Sequence, residues 1–123
     1  MADNFGLKIG LEGEREFKKA LAEINSQFKV LGSEMKLVDS AFDKNSTSIE
    51  SLTAKNGVLT KEIEAQRKKV ETLERALRNA SDSFGENDRR TQSWQIQLNN
   101  AKATLNNMER ELKENTEAIE QPG

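Results

Sequence analysis

Residues 83–90, SFGENDRR, hold the strongest local helix stop in the chain and an immediate restart. Gly85 can take the left-handed conformation that ends helices at little steric cost. Asn87 or Asp88 can then accept backbone N–H bonds and open the next helix. Heptads run up to this point from one side and away from it on the other. The reading is an antiparallel helical hairpin with its turn at 84–87.

Working outward, apolar residues recur at alternating steps of four and three from Phe17 to Ile119 in one unbroken phase. Of 30 such positions, 24 are apolar and six are polar: Asn45, Asn56, Gln66, Asn87, Thr91 and Asn115. That is the a/d seam of a coiled coil. It predicts helix 1 over 13–43, helix 2 over 47–83 and helix 3 over 87–119. Glu14 and Glu16 suit the positive end of helix 1. Val30 and Leu37 lie beside the seam and widen it, which suits packing against more than one neighbour. Gly57 costs helix 2 about 1 kcal/mol against Ala without breaking the pattern.

A turn at residue 85 fixes a register in which seam partners have numbers summing to 171. Leu77 then faces Trp94, Ile63 faces Met108 and Asn56 faces Asn115. Two seam amides can satisfy one another, whereas one alone would be buried without a partner. Phe84, Gly85, Asn56, Asn115 and Trp94 are therefore the positions expected to specify the architecture, with Trp94 read as core rather than as a ligand platform.

Two segments stay less defined. Phe5, Leu7, Ile9 and Leu11 alternate with Gly6, Lys8, Gly10 and Glu12, so residues 1–12 read as a short strand-like segment or a flexible leader. Residues 43–48, DKNSTS, hold a possible capping box in Thr47 and Glu50. Yet the heptad phase runs through them from Phe42 to Ile49, so a turn and a continuous helix both fit. The fold class expected is all-α: an elongated antiparallel coiled-coil hairpin or three-helix bundle. Helix 1 either packs on the hairpin or pairs with other copies. The narrow seam favours shared cores between copies, a trimer ahead of a dimer.

Composition removes most chemistry. The 123 residues are 33% charged and 5% aromatic, with no histidine, cysteine or tyrosine. Disulfides and cysteine zinc sites are excluded, and acid–base or nucleophilic catalysis would rest on carboxylates, lysines and hydroxyls. Glu109, Glu111, Glu114, Glu117 and Glu120 form a solvated acidic face. DKNSTSIES lacks the glycine and final glutamate of a calcium loop, and GLEGE is no phosphate loop. No catalytic, cofactor-binding or metal-ligating residue is expected, and the chain does not read as an enzyme. Arg67, Lys68, Lys69, Arg75 and Arg78 could touch phosphates. They alternate with Glu62, Glu64, Glu71 and Glu74, so a salt-bridged surface is the simpler reading and nucleic-acid binding is not expected. Net charge is −2, and no apolar run is long enough to span a bilayer. The leader has no signal-peptide pattern, so synthesis in the cytoplasm is expected and the triplets Asn45-Ser46-Thr47 and Asn79-Ala80-Ser81 are not read as glycosylated.

Three stretches carry a family likeness: FGLKIGLEGEREFKKALAEINSQFKVLGSEMKLV, LTAKNGVLTKEIEAQ and, most specifically, SFGENDRRTQSWQIQLNNAKATLNNMERELKEN. Together they resemble the N-terminal region of tail tape measure proteins of long-tailed phages and prophages of Gram-positive bacteria. The resemblance implies a structural role in tail assembly and length determination. It implies self-association, tail-tube, tail-terminator or tail-chaperone proteins as partners, and a place in the virion tail lumen after assembly in the host cytoplasm. The long repetitive spacer and the apolar segments expected further along that family are missing from these 123 residues, so length setting and membrane activity do not transfer to them.

Overall fold

The computed structural model describes residues 2–43 and 46–121, with side chains from Gly10 onward. It contains three helices, α1 (Ala2–Ala41), α2 (Ile49–Phe84) and α3 (Arg89–Glu120). Helix α2 is the middle member and packs on both others, whereas no α1–α3 pair among the described residues approaches within 8 Å at Cα. Gly10 lies against Ser83 near one end, and Lys61 reaches Glu34 towards the other, so α1 runs antiparallel to α2. Helix α3 returns alongside α2, and the arrangement is an up-down-up three-helix bundle. The described seam positions fold as helix except Phe42 and Asn87, which lie in the two connections.

The strand-like reading of residues 5–12 is overturned, because these residues are the first turns of α1. Eight residues of alternation also place Leu7 and Leu11 one helical turn apart, so the pattern does not separate the two periods. A helix satisfies its own backbone groups, whereas a lone strand would leave them without partners. The side chains of Phe5, Leu7 and Ile9 lie outside the described residues. Helix 1 consequently does not begin at Gly13. Gly10 and Gly13 instead form the point of close approach of α1 to the end of α2. A Cβ on Gly10 would sit 2.6 Å from that of Ser83, and one on Gly13 2.7 Å from the Asn79 amide nitrogen. Asn79 uses this closeness to donate to the Gly10 carbonyl at 3.1 Å.

Between α1 and α2 the chain turns instead of running on as one helix. Local hydrogen bonds of short polar side chains compete with helix here: Ser46 N donates to the Asp43 carbonyl at 2.8 Å, and Ser48 N to Ser46 Oγ at 3.3 Å. The cap of α2 is Ser48, whose hydroxyl accepts from Ser51 N at 3.2 Å, so the Thr47 capping box is not formed. Asn45 lies outside the described residues.

The second turn falls at the expected place but with different backbone. Gly85 has φ +95° and ψ 157°, which is the extended region open to glycine and not the left-handed helical one. Asp88 caps α3 by accepting from Arg90 N at 2.8 Å, and Thr91 Oγ1 donates to the Gly85 carbonyl at 2.7 Å. The guanidinium of Arg90 lies 3.4 Å from the centre of the Phe84 ring.

Apolar packing is concentrated at this turn. Leu21 of α1, Val70, Leu73, Ala76 and Ala80 of α2, and Trp94, Leu98 and Ala101 of α3 form one buried cluster. Helix α2 is buried along two stripes. One is the expected seam through Leu52, Leu59, Ile63, Gln66, Val70, Leu73 and Ala80; the other runs through Ser51, Val58, Ala65 and Ala76. Two stripes are what a helix needs to lie between two neighbours.

Candidate functional site

The features of this helical bundle that fix its register, and the faces it leaves free, constitute the candidate site. The inter-helix polar contacts sit at three levels along the bundle. Farthest from the α2–α3 turn, Asn115 Nδ2 donates to Asn56 Oδ1 at 3.0 Å, in the register whose numbers sum to 171. Thr116 Oγ1 also lies 3.5 Å from Asn56 Nδ2. At mid-height Gln66, 3% exposed, donates to the Ala101 carbonyl at 2.9 Å. Beside it Arg67 pairs with Glu109 at 2.9 Å. A one-heptad slip would strand these amides, which penalises alternatives more than it stabilises the native pairing.

Nearest the turn, Trp94 is 3% exposed and its indole N–H donates to Glu14 Oε1 at 2.6 Å. Glu14 itself is buried. A long aromatic on α3 thus bridges to a carboxylate on α1 across a gap that the two backbones do not close. Trp94 is a core side chain with a polar handle, consistent with its seam position. Sequence reasoning names Glu14 as a helix-start acid and Gln66 as a polar seam residue but finds neither partner, and it does not find the close approach at Gly10 and Gly13. Nothing in a single chain marks a partner 80 residues away. The glycines were visible, but were read as features of a strand and of a helix start.

The turn itself is an electrostatic clasp. The Asp88 carboxylate holds Arg90 through Nε at 2.9 Å and Nη2 at 3.0 Å. These side-chain bonds, and then the Arg90 backbone N–H, lower its pKa from 3.8 to about 2. On the same α2–α3 pair, the pKa of Glu62 is raised, first by burial and then by the like charge of Glu111.

No group of three or more metal-ligating acidic residues occurs among the described residues. A 570 Å³ cleft opens between α2 and α3 beside the turn, where Glu74, Arg78, Asp82 and Lys102 surround Leu77. Its mixed signs favour no single ligand charge. In the basic stretch, Arg67 is paired with Glu109 and Arg75 with Glu71, while Lys69 lies 5.9 Å from the centre of the Phe28 ring. No helix among the described residues is long and apolar enough to cross a membrane. Comparison with protein-family models, curated proteins and solved structures gives no match.

Proposed function

We propose that this chain is a structural coiled-coil module of a phage tail tape measure protein. In this reading it serves the tail assembly and length determination carried out by the longer tape measure protein, by associating with itself and with tail-tube, tail-terminator or tail-chaperone proteins. The observation that carries the reading is the resemblance of SFGENDRRTQSWQIQLNNA, the turn and first half of α3, to that family. The architecture is compatible with it: α2 alone is 36 residues and spans about 54 Å at 1.5 Å per residue, a geometry suited to reaching and holding. A coiled-coil adaptor or chaperone-like module with a cellular partner would use the same exposed faces.

The test is genetic and microscopic. In the genome that encodes the chain, its gene should lie beside those for tail-tube and tail-chaperone proteins. In-frame deletion of the coding segment should abolish tails or alter their length by electron microscopy. Normal tails after deletion would reject the phage reading and leave the adaptor.

A further inference from the structure

Helix α1 carries a second stripe that nothing among the described residues covers. Ser26, Val30, Ser33, Leu37 and Ser40 step by four, three, four and three, and all five are exposed. At about 100° per residue the stripe points roughly opposite to Leu21, Ile24 and Leu31, the buried side facing α2. Val30 is 60% and Leu37 71% exposed. Single exposed aliphatics are ordinary, but two on one heptad line, alternating with small residues, make a seam.

The serines are already satisfied. Ser26, Ser33 and Ser40 donate to the carbonyls of Ala22, Val30 and Leu37 at 3.1, 2.6 and 2.7 Å. Their hydroxyls therefore lose little on leaving water, and their size allows a neighbouring helix to approach closely.

We propose that this stripe is a parallel, in-register interface with the α1 helix of a second copy of the chain. Flanking charge selects that occupant and its direction. With Val30 and Leu37 at a positions, Lys29 and Lys36 occupy g positions and Glu34 an e position. Parallel pairing sets each g residue against the e residue five further along the partner, so Lys29 meets Glu34 twice by symmetry. Antiparallel pairing sets g against g and brings Lys29 to Lys36. The Glu34 side chain is 39% exposed; its Oε2 is buried towards Lys61 at 3.8 Å, so it is the exposed side of the carboxylate that faces a partner's lysine. The seam covers only about two heptads, so the contact is weak and forms where copies are held at high local concentration.

This names a surface for the self-association in the function proposed above, and it rests on that reading only for its biological setting. The chain has no cysteine, so Ser26→Cys and Ser40→Cys each introduce a single thiol at one end of the stripe. Under mild oxidation of the full chain, each variant should form a disulfide-linked dimer with itself. Adding Leu37→Glu should reduce that yield at least tenfold while the helical circular dichroism is unchanged. In an antiparallel pair, the two copies of position 26 would lie about 20 Å apart. Failure of either variant to cross-link with itself, or cross-linking that survives Leu37→Glu, overturns the proposal. Neither result bears on tail assembly, which the deletion experiment judges separately.

Discussion

The two ends of the bundle are built from the same heptads yet differ in how well they close. At the α2–α3 turn, Leu73, Ala76 and Ala80 are fully buried, Trp94 is 3% exposed and α1 presses in through Gly10 and Gly13. At the opposite end Leu52 and Leu59 of α2 are buried, but Met108, Leu112 and Ile119 of α3 are only half-buried, as are Met35, Val38 and Phe42 of α1. Charge follows the same division. Residues 1–27 and 67–104 carry 12 cationic and 10 acidic side chains, whereas residues 28–66 and 105–123 carry 7 and 11. The excess of acid at the open end includes Glu62, whose pKa is raised first by burial and then by the like charge of Glu111. Small residues and one bridging aromatic close one end, while half-covered aliphatics leave the other looser.

The contrast is broken most directly by truncation at both ends. Leu73→Ala, at a site with no exposure, should cost about 2–5 kcal/mol, and Leu112→Ala about 1 kcal/mol because its cavity opens to water. Chemical denaturation of both variants measures the difference, and equal costs would erase the distinction. Next in size, Gly10→Ala should destabilise by about 1–3 kcal/mol, since the new methyl overlaps Ser83 on a packed helix. An unchanged melting temperature would mean that α1 does not seat there.

How much of this was legible depends on residue size. Large aliphatics at four-three spacing exposed the seam, and with it three helices and the position of the second turn. The second buried stripe of α2 is mostly alanine and serine, residues equally at home on a surface, so its periodicity carries no visible signal. The start of α1 is misplaced because Phe5, Leu7, Ile9 and Leu11 alternate as in a strand, and Gly10 and Gly13 signal close approach only once Ser83 and Asn79 are opposite them. The Asn56–Asn115 pairing is readable because both amides interrupt an apolar seam in one register; the Trp94–Glu14 bond is not, because Glu14, although in phase with the seam three residues before Phe17, is charged and reads as a helix-start acid.

Smaller effects sharpen the comparison. Asn56→Leu alone should destabilise by about 1–2 kcal/mol by leaving Asn115 without its partner, and adding Asn115→Leu should recover much of the loss. Additive losses in a double-mutant cycle would mean the two amides act independently. Gly85→Ala should cost about 1 kcal/mol from the positive φ alone, because no atom lies within 4 Å of the new methyl. The Asp88 clasp should be visible in acid. Its pKa is lowered on folding, so its stabilisation is complete well above 3.8 and is lost as the pH falls through that value towards about 2. Asp88→Asn should therefore flatten part of the acid limb of stability against pH; an identical limb would remove the clasp from the account.

Native-state hydrogen exchange along α3 tests the central claim within one continuous helix. The amides of residues 94–101, packed against the buried cluster, should exchange far more slowly than those of 108–115, whose seam residues are half open. Uniform protection from Trp94 to Ile119, or faster exchange beside the turn, would contradict a bundle anchored at its α2–α3 junction.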